Sequence, residues 1–256
     1  MHKIIAISNQ KGGVGKTTTA INLAAAVAEA SKKVLLVDLD PQGNATSGLG
    51  IQRESLKSSV YGVLLGDALI EDTIVRGVAE NLDVLPSRVE LAGAEVELVN
   101  LEGRERFVKR ILSQVYMQYD FIFIDCPPSL GLLTLNALTA AGGLLVPIQC
   151  EYFALEGLSQ LMNTVQLVRR NSNPFLEIQG VLLTMFTARA NLCAQVVQEV
   201  KRYFKDKVYN TLIPRSIRLS EAPSFGLPIT KYAPKNVGAL AYQELAAEFI
   251  AREEGQ

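Results

Sequence analysis

No tryptophan occurs in the 256 residues, and His2, at the frayed start, is the only histidine. Any proton or water chemistry therefore falls to carboxylates rather than to an imidazole. Cysteine is scarce too: Cys126, Cys150 and Cys193 are separated by 24 and 43 residues. No pair has metal-ligand spacing, and an odd count argues against a disulfide framework, so buried free thiols are expected. No apolar run reaches the roughly 18 residues needed to span a bilayer. The chain enters a strand within three residues, which leaves no room for a signal peptide, and a cytoplasmic protein is expected. Internal repeats, low-complexity tracts and linkers are all missing, so residues 1–256 read as a single domain.

What is present is an apolar composition of 48%, enough for a substantial core, and a formal net charge of only −1. That balance does not advertise a nucleic-acid binder, but its distribution is uneven. Residues 189–235 hold nine basic side chains, Arg189 and Arg218 among them, against three acidic ones, so this segment is +6. The remaining 16 basic and 23 acidic residues leave the rest of the chain at −7. Such local asymmetry can mark an electrostatic footprint or simply a solvated helix face.

Apolar runs alternate with helical periodicity along the chain. Strands are expected at Lys3–Ser8, Val34–Asp38, Leu82–Leu85, Phe121–Asp125, Leu144–Ile148, Ile178–Met185 and Val208–Ile213. Helices are expected at Lys16–Ala30, Val60–Leu65, Leu69–Val75, Glu102–Tyr116, Leu130–Ala141, Ala154–Arg170, Asn191–Phe204 and Gly238–Arg252. Gly43, Asn44, Ser47, Gly48 and Gly50 suggest a loop. The alternation predicts an α/β fold, a doubly wound, mostly parallel sheet flanked by helices.

One stretch organises the rest: Ser8-Asn9-Gln10-Lys11-Gly12-Gly13-Val14-Gly15-Lys16-Thr17-Thr18-Thr19. It lies between the first strand and the first helix, the context in which a glycine-rich loop cradles phosphate. Backbone N–H groups of such a loop converge on one anion, and the helix N-terminus adds partial positive charge. Lys16 would reach the β- and γ-phosphates, and the Thr17 hydroxyl would hold Mg²⁺. The strict pattern wants glycine where Gln10 stands, and the departure brings a second lysine, Lys11. Asp38 and Asp40 close one strand and Asp125 another, and ligands sit at the carboxyl ends of parallel strands. Taken alone, each acid reads as a strand-end turn residue or helix cap. Beside a phosphate loop, Asp40 and Asp125 read as metal-side carboxylates, with Asp125 holding Mg²⁺ through water, and Asp38 is more evenly poised.

Lys11-Gly-Gly-Val-Gly-Lys16-Thr-Thr resembles the deviant phosphate loop of the ParA/MinD ATPases. Three further stretches resemble the chromosomal ParA (Soj) proteins: Asp38-Leu-Asp40-Pro-Gln-Gly-Asn-Ala-Thr46, Asp125-Cys-Pro-Pro-Ser129 and Pro214-Arg-Ser-Ile-Arg218-Leu-Ser-Glu-Ala-Pro223. The resemblance implies a phosphate-loop NTPase fold and an Mg²⁺-dependent ATP hydrolase of weak intrinsic activity. It implies that Asp40 orients the attacking water, Thr17, Asp40 and Asp125 serve the metal, and Thr18 bonds the α-phosphate. Gly12, Gly13, Val14 and Gly15 would wrap the phosphates, Lys11 would cross to a partner's nucleotide, and Pro214 and Met185 would lie near the base. It further implies an ATP-bound homodimer on the nucleoid that binds double-stranded DNA without sequence preference through Arg189 and Arg218. A centromere-binding partner like ParB (Spo0J) would stimulate hydrolysis. The alternative is a MinD-like membrane-cycling ATPase. The tail 242–256 opposes it, because Glu244, Glu248, Glu253 and Glu254 face only Arg252 and would be repelled by anionic lipid.

Overall fold

A computed structural model describes residues 4–151, 158–188 and 190–255. Seven strands form one sheet: β1 (Ile4–Ile7), β2 (Val34–Asp38), β3 (Val75–Ala79), β4 (Leu82–Leu85), β5 (Phe121–Asp125), β6 (Gly143–Gln149) and β7 (Glu177–Thr184). Among the described residues twelve α-helices accompany them: α1 (Lys16–Glu29), α2 (Asn44–Gly48), α3 (Val60–Leu65), α4 (Ile70–Thr73), α5 (Leu91–Glu97), α6 (Phe107–Ser113), α7 (Leu132–Ala140), α8 (Leu158–Asn171), α9 (Asn191–Phe204), α10 (Ile217–Glu221), α11 (Ile229–Tyr232) and α12 (Val237–Glu254). The strand order is β3-β4-β2-β5-β1-β6-β7, parallel throughout except for β3, which pairs antiparallel to β4. This is the α/β doubly wound sheet the alternation of apolar runs predicts.

The central strands are apolar at nearly every position because both faces are covered. Ala6, Leu35, Val37, Ile122 and Ile124 point to one core, under α3 and α5 to α9. Ile5, Ile7, Leu36, Phe121 and Phe123 point to the other, under α1 and α12. The α12 face bearing Tyr242, Leu245, Ala246 and Phe249 is buried there, with the Phe249 ring 5.1 Å from Phe121 and 5.4 Å from Phe123. The apolar side of this last helix is thus spent on the core. Among the described residues no helix is long and apolar enough to cross a membrane.

Several expected elements differ. The glycine-containing stretch after Gly43 folds into the short helix α2, and an edge strand, β3, occupies residues with no clear period. The helix expected over Glu102–Tyr116 shortens to a 3-10 turn at Arg104–Arg106 followed by α6. The first residues of the helix expected from Ala154 fall outside the described residues. Val208–Ile213 is not a strand. It runs beside β7 with only isolated bridges, Val181 to Val208 and Phe186 to Pro214, so one extra residue bulges on its side. The cause is a competing acceptor: the N–H groups of Asn210 and Thr211 donate to the Glu248 carboxylate of α12, at 2.9 and 3.0 Å.

Candidate nucleotide site

The central strands end in register. Ile7 pairs with Asp125, and Asp125 with Asp38, so the phosphate loop and two acids leave the sheet from one row. Side chains from neighbouring strands tether the loop. Asn9 donates to the Pro147 carbonyl at 2.7 Å and accepts the Lys11 N–H at 3.0 Å. Thr184, closing β7, donates its hydroxyl to the Val14 carbonyl at 2.8 Å. Gly15 caps α1 with φ at 88°, a left-handed conformation that L side chains rarely adopt, and the first turn of α1 carries no acid. The unpaired N–H groups of that turn are therefore open to an anion.

Lys16 is buried and donates to the Lys11 carbonyl at 3.1 Å. Burial pulls its ammonium below the usual lysine range, and Asp125 and Asp40 pull it back. Asp125 is fully buried, and neither carboxylate oxygen has a partner with hydrogen-bond geometry. Burial first and the neighbouring Asp38 second push its carboxyl well above the ordinary range, while the nearby Thr17 hydroxyl and Lys16 oppose the shift. A dry carboxylate with two unsatisfied oxygens, beside a threonine hydroxyl and a second acid, is a donor set that fits a hydrated Mg²⁺. Asp40 is also largely buried, and its Oδ1 accepts the Gln42 N–H at 2.9 Å.

Asp38 does something different. It accepts the Thr46 N–H at 2.8 Å, the Thr46 hydroxyl at 2.7 Å and the Asp40 N–H at 3.2 Å. Burial lifts its carboxyl to about 6, against those bonds. Asp38 thus ties α2 and the Asp40 loop to the strand.

Two cavities meet here. An open one of about 330 Å³ is lined by Gly12, Gly13, Gly15, Lys16, Thr17, Thr18, Asp40, Gln42, Asn44, Pro128 and Met185. A smaller one of about 130 Å³ is lined by Gly15, Thr18, Thr184, Met185, Ile213, Pro214, Arg215, Ser216, Leu219, Ser220 and Tyr242. Met185 lines both and has φ at 52°, an uncommon conformation for a non-glycine residue. The first is lined by the phosphate-loop glycines and Lys16 and the second by a mixture of polar and apolar side chains, and the two are contiguous through Gly15, Thr18 and Met185.

A family model described as an AAA domain matches residues 2–178. The Bacillus subtilis sporulation initiation inhibitor protein Soj is 60% identical over 98% of this chain and 99% of its own. The Myxococcus xanthus chromosome partitioning protein ParA is 54% identical over 98% of this chain and 89% of its own. The chain belongs to the Soj/ParA family of chromosome-partitioning ATPases. A solved structure from Mycobacterium smegmatis, titled cobyrinic acid a,c-diamide synthase with bound ADP and magnesium, superposes with a TM-score of 0.88. It is 39% identical and covers 100% of this chain and 97% of its own.

Other residues singled out in the sequence are less gathered. Arg189 lies outside the described residues. Arg218 is exposed on α10, but Glu221 pairs with it at 2.8 Å, and the Tyr232 hydroxyl stands 3.4 Å away. Arg215 pairs with Glu151 at 3.2 Å and Lys231 with Glu29 at 3.3 Å. The +6 segment is not one patch. Val208 meets mid-β7 and Pro214 meets the residues beyond its end, so Lys205 and Lys207 lie toward the opposite end of the sheet from Arg215 and Arg218. The three cysteines are buried and free. Thr184, Asn9, Thr46 and Ser87 carry much of the local bonding; Asn9 and Thr46 lie within the stretches quoted above, whereas Thr184 and Ser87 have no motif that announces them.

Proposed function

We propose that this chain is a partitioning ATPase that binds ATP with Mg²⁺ and hydrolyses it as a switch between a DNA-bound dimer and free monomers. The buried Asp125, with both oxygens unpartnered beside Lys16 and Thr17, is the observation that carries the nucleotide reading. A Mg²⁺ held there would supply positive charge to offset that of the phosphates. Thr17 and Asp125 would hold it, with Asp40 alongside. Lys16 would exchange the Lys11 carbonyl for phosphate oxygens. The N–H groups of Gly13, Val14 and Gly15 would wrap the phosphates, with Thr18 at the α-phosphate. Met185 and Pro214 would border the base. Asp40 would orient the attacking water. No arginine stands in the phosphate loop, which supports slow intrinsic turnover.

The dimer rests on Lys11 and Gly12. Gly12 is exposed, a Cβ there would meet nothing within 4 Å, and its φ is ordinary. No protein atom of the monomer crowds this position, whereas the close approach of a facing loop from a second copy would require glycine. Among the described residues no hydrogen bond or ion pair holds the Lys11 ammonium, which supports its availability to a partner's nucleotide. Two facing ATP molecules carry roughly eight negative charges, and such sites close only around added cations.

Duplex DNA would be gripped through phosphates, by Arg189 and Arg218 on each subunit, and the doubled surface of a dimer would gate affinity. A ParB-like protein would then stimulate hydrolysis and release. The chain would be cytoplasmic and nucleoid-associated. DNA binding across a salt series, with ATP or ADP, tests this. Asp40→Ala should remain dimeric and DNA-bound with ATP, and Lys16→Ala should lose nucleotide and DNA together. Arg218→Glu should dimerise yet release DNA; full DNA affinity in that variant would contradict the assignment.

A further inference from the structure

The Asp40 loop is held in place by residues that do not reach the nucleotide cavity. Pro86 and Ser87 follow the end of β4, and Ser87 is fully buried. Its hydroxyl donates to the Asp40 carbonyl at 2.7 Å, and its N–H donates to Thr46 Oγ1 at 2.9 Å. Thr46 passes its hydroxyl proton on to Asp38 at 2.7 Å, and Asp38 accepts the Asp40 N–H at 3.2 Å. The bonds close a ring, in which the Asp40 main chain is fixed at its N–H by Asp38 and at its carbonyl by Ser87, and Thr46 joins the two. The ring is anchored outward, because the Pro86 carbonyl accepts the Val60 N–H of α3 at 2.8 Å. Arg53, partly exposed, adds an outer brace from Nη1 to the Gln42 carbonyl at 2.6 Å.

Asp40 and Gln42 line the phosphate cavity, whereas Ser87, Thr46 and Arg53 do not. We propose that Ser87 is a positioning residue for Asp40, with Thr46 as its relay and Arg53 as an outer brace. The three set the hydrolytic geometry and leave nucleotide affinity untouched. This rests on the reading of Asp40 as the water-orienting acid. The physical ground is that misplacing a reacting group by about 1 Å, from a change distant from the chemistry, costs up to about a hundredfold in rate. Buried hydroxyls whose protons are all committed have one arrangement and hold it.

The test is single-turnover ATP hydrolysis, fluorescent-ATP affinity and thermal melting on the same variants. Ser87→Ala leaves the Asp40 carbonyl satisfied by the Gly43 N–H at 2.9 Å, so folding should survive. It should slow hydrolysis about tenfold while affinity stays within about twofold, a loss confined to the transition state. Thr46→Val should slow it at least as much, and Thr46→Ser, which keeps both hydroxyl bonds, should stay near wild type. Arg53→Ala should slow hydrolysis by a smaller factor with an unchanged melting temperature. Wild-type turnover in folded Ser87→Ala and in Arg53→Ala would overturn the inference, even if melting fell. Should Ser87→Ala not fold, the rate of Arg53→Ala decides alone. Asp40→Ala separates the two layers: if it is inactive while Ser87→Ala keeps full turnover, only the positioning role fails. If Asp40→Ala hydrolyses normally, the reading of Asp40 itself fails.

Discussion

Lys11 and Gly12 stand at the exposed lip of the loop, and neither is explained by the chain that carries them. A side chain at Gly12 would meet open space, so Gly12→Val should fold, melt within about 0.5 kcal/mol of wild type and bind nucleotide. It should fail to dimerise with ATP, by light scattering. A Gly12→Val dimer of normal affinity would remove the strongest support for face-to-face loops. Other site residues explain themselves only through distant partners. Lys16, Asp40 and Asp125 could be singled out because a glycine-rich loop opening a helix and acids closing parallel strands form a recognisable phosphate-site pattern. Ser87 and Thr46 were not, because a serine 47 positions from Asp40 becomes meaningful only when the chain brings its hydroxyl to that carbonyl. Asp38 was poised between metal acid and turn residue, and its three accepted bonds mark it as a strut.

Elements buried on both faces were the legible ones. β2 and β5 lie where their apolar runs put them, β4 lies where expected although Asp83 interrupts its run, and α9 follows its periodicity. The edge strand β7 lies close to its expected place, but β3 and α5 were not legible. β3 is half exposed, and α5 carries Gly93 within seven residues and too few turns to show a period. Val208–Ile213 has the residues of a strand, but α12 claims its backbone. The Glu248 carboxylate accepts the Asn210 and Thr211 N–H groups, the Thr211 hydroxyl at 2.9 Å and Arg252 Nη2 at 2.7 Å. Burial alone would raise its pKa, but these bonds outweigh it and hold it below the usual glutamate range. The stability it supplies is therefore present above the unfolded glutamate value, about 4.3, and is lost as pH falls through the lower folded value. Glu248→Gln should cost about 1–2 kcal/mol near neutral pH, read by chemical denaturation. The gap from wild type should narrow below about pH 4, and a gap independent of pH would show that the charge is not what binds the segment.

At the scale of the whole molecule, the sheet collects the loop, the acids and the two cavities at one end of its strands. The segment whose composition pointed to DNA is divided between two ends, and three of its described cations are already paired. Charge excess in sequence could not reveal this, because pairing with Glu29 and Glu151 depends on tertiary placement. A single subunit divides these cations between two ends, and affinity for duplex should depend steeply on dimerisation. If so, the slope of log affinity against log salt should be about twice as steep with ATP as with ADP. Equal slopes would place the grip within one subunit. The most direct measurement is the mass of Asp40→Ala in solution at saturating Mg·ATP, by light scattering, across concentration. Twice the chain mass with ATP and a single chain mass with ADP is the predicted result. A single chain mass under both conditions would contradict it.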